Sequence, residues 1–343
     1  MMRKMLFKSM LGLLGVLLLV SSNAFAGGRD RAGSSAAPHL LIPVGARGTA
    51  MGGSGTATSS GIDAIFWNPA GISRSTYQSD LMFSHMDYFA GMDLEYVAAV
   101  TKLGTFGSLG FSVKTLVVGD IAVTTEDQPD GTGEILNPNF ITLGIHYSKI
   151  LSDRVSVGIT SKIINESFLN VGATGIGFDV GVQYKGLAEF ENLSIGIVLK
   201  DFGPAMTYGG SGMLRLIRVD EVFRDVRIEA QPAELPTTLE IGTSYSYSLG
   251  EASSLNISGV FQSNNFADDE FRIGAEWSMQ DFIYIRGGIP IVSENDDNPY
   301  IFGPSVGAGV SVQTGKVDLI LDYAFRDVEF LEANHIFSIH LGF

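Results

Sequence analysis

"GIGFDVGVQYKG", residues 175–186, decides the fold. Ile176, Phe178, Val180, Val182 and Tyr184 share one parity, while Gly177, Asp179, Gly181, Gln183 and Lys185 share the other. A period of two belongs to an extended strand, whose successive side chains point to opposite faces. One face is continuously apolar. The other mixes charges of both signs with glycine.

The same grammar recurs along the chain. In "SLGFSVKTLV" (108–117) Leu109, Phe111 and Val113 alternate with Gly110, Ser112 and Lys114. In "RVSVGITSKI" (154–163) Val155, Val157 and Ile159 alternate with Ser156, Gly158 and Thr160. The template picks out about 14 such segments, near 78–89, 93–102, 105–118, 138–150, 153–166, 173–186, 192–201, 236–249, 253–264, 268–279, 281–290, 299–313, 315–326 and 334–343. Many reach about 10 residues, the length a tilted strand needs to cross a bilayer. Mean hydropathy is positive, yet no long apolar run remains after residue 26, so the apolar residues are spread by alternation.

The connections separate a membrane barrel from a soluble sandwich. Links after alternate segments are tight, while "DIAVTTEDQPDGTGEILN" (120–137), the stretch 202–235, "SENDDN" (293–298) and "RDVEFLEA" (326–333) are long and polar. Short turns at one end and long loops at the other mark an outer-membrane barrel. The expected fold is all-β: a 14-stranded antiparallel transmembrane barrel. Its first outer connection, at 90–92, is a short exception. The chain ends "HIFSIHLGF", with Phe337, Ile339, Leu341 and Phe343 on one face. A closing strand with a terminal aromatic resembles the signal read by the bacterial barrel-assembly machinery, which makes Phe343 the expected assembly terminus.

The first residues read as an address. Arg3, Lys4 and Lys8 precede an apolar run at 10–20, and Ala24-Phe25-Ala26 is a small-x-small cleavage site. The expected division is a signal peptide over 1–26, an N-terminal periplasmic segment and lumenal plug over 27–76, and the barrel over 77–343. Removing 1–26 takes three of 22 basic residues and none of 37 acidic ones, moving the formal charge from −15 to about −18. Nucleic-acid binding needs basic patches and is not expected. With no cysteine, disulfides and thiol-linked lipid are excluded.

If the apolar faces meet lipid, Lys114, Lys162, Asp179, Lys185, Lys200, Glu240, Arg272, Glu276, Asp318 and Asp322 face the lumen. Mixed signs predict ion pairs across a narrow or plugged interior, because buried charge must be compensated. Glycines between them leave room for an insert. "GARGTAMGGSGTATSSGIDAIFWNPAGI" (45–72) supplies a candidate: small residues, charged only at Arg47 and Asp63, then Phe66, Trp67, Asn68 and Pro69. A short helical turn over 63–67, ended by Pro69, fits a hatch in the periplasmic mouth, since proline lacks a donor and restricts the residue before it. Arg47 is expected to pair with an inward acid, and Phe66 and Trp67 to wedge the turn.

On these residues the chain resembles the PorV/PorQ family, itself related to FadL-like outer-membrane proteins. The likeness runs through "GIDAIFWNPAGI", "KDFGPAMTY" (200–208), "LPTTLEIGTSY" (235–245), "FRIGAEW" (271–277), "IYIRGGIP" (283–290) and the closing strands. It implies a plugged 14-stranded barrel in the bacterial outer membrane, in contact with outer-membrane lipid, and a non-enzymatic role in type IX secretion. Its implied partners are secreted cargo and the surface attachment machinery. FadL-like relatives imply the alternative, a channel taking a hydrophobic ligand. "MLRLIRVDEVFRDVRI" (213–228) is the candidate partner loop, where Leu214, Leu216, Ile217 and Phe223 stand among Arg224, Arg227 and other basic residues.

No catalytic, metal or cofactor site is expected. "GPSVG" (303–307) matches G-x-S-x-G, but alternating strand residues follow it where the motif needs a strand-to-helix turn. The histidines, His39, His85, His146, His335 and His340, show no metal-ligand spacing. The acid-rich loops "EDQPDGTGE" (126–134) and 293–298 do not follow EF-hand spacing. A phosphate-binding glycine-lysine loop is missing.

Overall fold

The computed structural model describes residues 28, 31–187, 190–219, 222–292 and 300–343. The expected leader and the 293–298 loop lie outside the described residues. Strands β1 (Ser79–Asp87), β2 (Met92–Lys102) and β3 (Ser108–Val118) begin the wall. β4 (Ile121–Ala122) and β5 (Ile135–Leu136) pair with each other in the loop that follows. β6 (Asn139–Ile150), β7 (Val155–Phe168), β8 (Val171–Leu187) and β9 (Phe190–Phe202) continue the wall. β10 (Leu214–Val219) and β11 (Val222–Arg227) form a hairpin outside it. β12 (Thr238–Ser248), β13 (Ser253–Asn264), β14 (Glu270–Met279) and β15 (Ile283–Val292) lead to β16 (Phe302–Thr314), β17 (Val317–Val328) and β18 (Asn334–Gly342).

The 14 wall strands close into one antiparallel barrel, each beside its chain neighbour, with β1 against β18 at the seam. The seam register runs from Asp80↔Gly342 to Asp87↔His335. Below it, the Phe343 carbonyl accepts from Gln78 N at 2.7 Å and the Phe343 amide donates to Ser79 O at 2.9 Å. Closure matters because hydrocarbon offers no partner for a backbone N–H or C=O.

Alternation sorts the two faces. Phe83, Val97, Phe111, Ile145, Ile163, Ile176, Ile241 and Phe337 are exposed on the outside, while Ser84, Ser112, Thr160, Gln183, Glu240 and Ser338 are buried inside. The long loops gather at one end, the outer end by the loop rule, and the tight turns and both wall termini at the other. The β1–β2 connection is the short turn Phe89–Gly91. A second short outer link, at 169–170, joins β7 to β8.

The N-terminal segment threads the whole lumen. Gly28 N donates to Asn264 O, Arg31 pairs with Glu234 at 2.8 Å, and Ala36 N donates to Glu234 O, all at the outer end. Lower down, Ala46 N donates to Ser338 Oγ at 2.8 Å. At the periplasmic rim Arg74 donates to Ser156 Oγ and to the Arg154 carbonyl, just before β1 begins. A hatch confined to the periplasmic mouth therefore describes only the later part of the segment. Residues 31–42 sit at the opposite end, held by the base of the long loop.

Ser338 and Phe343 occupy opposite faces of the closing segment, so their substitutions separate closure from plugging. Phe343→Ser should remove about 2 kcal/mol of apolar anchoring and lower the yield of barrel that resists detergent until heated. Ser338→Ala should leave that yield unchanged and loosen the plug, because Ser338 Oγ accepts from Ala46 N and donates to Ser84 Oγ. Gel mobility with and without boiling checks the first; protease sensitivity of the segment around Ala46 checks the second.

Candidate functional site

The plug is built from the bulky end of its motif outward. The chain turns through Gly61–Asp63 and Ala64–Trp67, then breaks at Asn68 (φ −163°, ψ 108°) before a second short turn, Pro69–Arg74. Asn68 is fully buried. Its Nδ2 donates to Thr56 O (2.9 Å) and Val182 O (3.2 Å), and its Oδ1 accepts from Ala70 N (3.1 Å). One amide thus ties the turn to itself, to the preceding plug loop and to the wall.

Trp67 fills the space those loops enclose. A Cβ on Gly48 would lie 2.0 Å from Trp67 Nε1, and Cβ atoms on Gly53 and Gly55 would fall 3.2–3.3 Å from the indole. Gly48, Gly53 and Gly55 of "GARGTAMGGSG" therefore wrap one indole, while Gly52 lies against the wall at Gly288. Phe66 packs edge-on against Trp67, with ring centroids 4.9 Å apart, and carries Lys200 Nζ 4.2 Å from its centroid.

The wall answers with glycines of its own. A Cβ on Gly158 would lie 2.2 Å from Pro69 C in the plug backbone; on Gly196, 2.2 Å from Thr56 O; and on Gly288, 2.2 Å from Gly52 N. On Gly181 it would lie 2.0 Å from Asn68 Oδ1, and on Gly274 2.2 Å from Ser54 Oγ. The inward glycines on β7, β8, β9, β14 and β15 form a seat on which the plug lies directly.

The expected lumen charges divide into three kinds. Lys162 bridges Asp179 (2.8 Å) and Asp201 (2.6 Å), and Lys200 pairs with Glu240 (3.3 Å). Arg286 joins Glu276 (2.7 Å) to Asp322 (2.5 Å), and Arg272 pairs with Glu270 (2.9 Å). These bridges run along the wall between nearby strands rather than across the lumen, because the plug occupies the centre. The plug supplies one partner itself: Arg47 holds Glu276 by a two-pronged contact, both arms at 2.9 Å, and reaches Asp63 at 3.3 Å. Lys114 departs from the ion-pair expectation, since its Nζ donates to the carbonyls of Leu40 (3.2 Å) and Ile42 (2.5 Å) in the plug. Lys185 and Asp318 make none of these bridges; both are only partly buried, Lys185 near Arg74 and Asp318 beside Tyr77.

Sequence reasoning missed two features. The β1–β2 register sets His85 opposite Glu95 and Asp87 opposite Asp93, so His85 contacts Glu95 (2.7 Å) and Asp87 (3.0 Å). Cross-strand pairing made this group, which spacing along the chain does not reveal. The second is the pair His39 and Glu166, both buried and 3.2 Å apart, with His39 also touching Thr142 at 3.0 Å. Tyr208, from the long outer loop, donates to the same Glu166. Ser305 of "GPSVG" lies inside β16 and donates to Ala50 O at 3.2 Å, a wall-to-plug contact.

The long loop has a closed base and an open tip. Met206 and Leu235 are buried with Ala36, Ala37, Leu40, Ile164 and Ala173, and Met206 and Ala233 pair through their backbones at 2.8 Å. Above this, among the described residues, β10 and β11 pair only with each other. Leu214, Leu216, Ile217 and Phe223 are exposed, Leu216 at 63% and Phe223 at 64%, with Arg224 and Arg227 beside them on the hairpin.

The profile of the family described as "Type IX secretion system protein PorV" matches residues 26–262. Among curated proteins none matches this chain. Solved structures with the same fold include the Ralstonia pickettii toluene transporter TbuX, at 14% identity and TM-score 0.55, covering 87% of this chain and 98% of that one. A Pseudomonas aeruginosa FadL homologue (11%, TM-score 0.52) and the monoaromatic hydrocarbon channel CymD (15%, TM-score 0.51) each cover 88% of this chain and 98% of their own.

Neighbouring glycines on β15 test the seat. Gly288→Ala would drive its Cβ into Gly52 and Met51, whereas a Cβ on Gly287 meets nothing closer than 3.8 Å. Overpacking of this kind costs roughly 1–3 kcal/mol. Gly288→Ala should keep a heat-resistant barrel yet raise conductance in planar bilayers, and Gly287→Ala should match the unaltered chain. Equal conductance for the two would mean that this glycine does not seat the plug.

Proposed function

This chain belongs to the PorV family of type IX secretion system proteins, and on that premise we propose that it is a non-enzymatic outer-membrane docking protein. In this reading the outer hairpin β10–β11 receives secreted cargo or the attachment machinery, the N-terminal segment up to residue 76 acts as the plug, and the barrel serves as an anchor. The observation that carries it is the split character of the long loop. Its base buries Met206 and Leu235 against the N-terminal segment, while its tip holds two strands whose outer edges pair with no other strand among the described residues.

An exposed strand edge is a ready template for another chain, because its free N–H and C=O groups accept an added strand. Cross-strand pairs put Leu214 opposite Arg227 and Ile217 opposite Arg224, so each face of the hairpin offers apolar contact beside positive charge. In a protein of net charge −15 that local basic character favours an acidic, extended partner segment.

A second reading has its own observation. A cavity of about 340 Å³ lies in the outer half of the lumen, floored by Phe66 and Trp67, and it could receive a small hydrophobic compound. Its walls include Lys200, Glu240, Glu270, Arg272 and Arg326, which is costly company for a hydrocarbon, since charged groups would lose solvent to it. The docking role is therefore the better supported.

Replacing 210–230 with a short Gly-Ser linker should leave a heat-resistant barrel, because the hairpin pairs with no wall strand. Recovery of partner proteins from native membranes should fall at least about tenfold, the scale of losing one or two central contacts. Unchanged partner recovery, with uptake of hydrophobic compounds lost instead, would transfer the role to the second reading.

A further inference from the structure

The wall has a seam that the barrel does not finish. β15 and β16 pair from Ile283↔Val310 to Gly288↔Ser305 and no further, although β15 runs on to Val292 and β16 starts at Phe302. Continuing the register would set Ile289 against Pro304 and Pro290 against Gly303. The bond from Ser311 N to Phe282 O fixes which pairs of this ladder are hydrogen-bonded; 290↔303 is one of them, so Pro290 stands where an amide donor is needed and has none to give. On its other side β15 pairs with β14 as far as Val292↔Glu270, and β16 turns toward β17, with Phe302 opposite Val328. Among the described residues no ladder joins the two strands beyond Gly288↔Ser305, at the outer end of the wall.

The cavity lies behind this stretch: Pro290, Phe302 and Gly303 belong to its lining. So does Arg326, which is 9% exposed and lies over the Phe302 ring, 4.1 Å from its centroid. The cavity's other acid–base pairs are matched within themselves, Arg272 with Glu270 and Lys200 with Glu240, while Asp201 is held by Lys162. Among the described residues Arg326 has no carboxylate within salt-bridge distance; its guanidinium donates to Asn334 Oδ1, at 3.1 and 2.7 Å. Asn334 is itself fully buried, and its Nδ2 is a second donor without an acceptor among the described residues. A buried cation beside a spare donor is a site short of one anion, since a buried charge without a counter-charge is strongly unfavourable.

We propose that the wall parts here, between β15 and β16, and that this gap admits the anionic headgroup of an outer-leaflet lipid, a phosphate monoester or carboxylate, onto Arg326. The acyl chains stay in the bilayer, along Ile289, Ile291 and Val306, which are exposed on the outward face beside the gap. The gap sits at the outer strand ends, the depth of the headgroups, so the lipid reaches the cavity sideways without crossing the plug. This site rests on the barrel's seating in the membrane and is independent of cargo docking on the hairpin.

The test is lipid retention by the full-length protein in a neutral detergent, followed by native mass spectrometry. Three probes separate the sources: phosphatidic acid, diacylglycerol with the same chains, and inorganic phosphate. Phosphatidic acid should bind as one equivalent, with diacylglycerol and inorganic phosphate bound at least about tenfold more weakly. Arg326→Met should weaken phosphatidic acid by at least about tenfold. Asn334→Asp, which places a carboxylate beside the guanidinium with almost no change in volume, should do the same in a barrel that still resists detergent until heated. Undiminished phosphatidic acid binding in the Asn334→Asp barrel would overturn the Arg326 site. Inorganic phosphate binding as tightly as the lipid would overturn the lateral lipid assignment.

Discussion

A backbone amide in hydrocarbon must find its partner inside the protein, and the rest of this molecule depends on that condition. It forces the sheet to close, so β1 meets β18 and Phe343 ties back to Gln78 and Ser79. Closing 14 strands leaves an interior wider than side chains from the wall fill alone. The N-terminal segment fills it, and the wall makes room by placing glycine where the plug backbone lies against a strand.

The plug changes the electrostatics of the lumen as well as its volume. With the centre occupied, charges on facing walls cannot meet, and they pair instead with neighbours on adjoining strands, as in Lys162–Asp179–Asp201 and Glu276–Arg286–Asp322. Arg47 joins the second group from the plug side, and Lys114 finds plug carbonyls. Such contacts fix how the plug is seated more than they add stability, because desolvation offsets much of the attraction between buried charges. The arrangement is an interior largely filled by the plug.

The outer face is also where the N-terminal segment is tied down. Arg31, Ala36 and His39 contact Glu234, Glu166 and, through Glu166, Tyr208 of the long loop. The loop that presents the hairpin is therefore anchored to the plug, so the platform and the seal are parts of one packed unit. The same outer end holds the incomplete β15–β16 seam, where the ladder stops before Pro290. The hairpin and this seam are thus separate features of the outer end.

Local chemistry was legible in the sequence: the alternation of Ile176 to Tyr184, the unequal loops, the aromatic end at Phe343 and the Phe-Trp-Asn-Pro break. A strand's face is set two residues at a time, so the barrel, its strand count and the inward residues could be read without coordinates. What depends on contacts between distant segments could not. Nothing in the spacing of residues 31–42 says that they cross to the outer mouth. Only strand register sets Glu95 opposite His85, and only the seated plug turns Lys114 from an ion-pair partner into a donor to Leu40 and Ile42. Pro290 is ordinary in the sequence; only the register of two strands puts it at the end of their ladder, with Arg326 lining the same cavity. Which way each side chain faces is written in the chain, because facing is a property of the strand alone. What each side chain meets is settled only by the folded whole, because the partners come from segments that closure and plugging bring together.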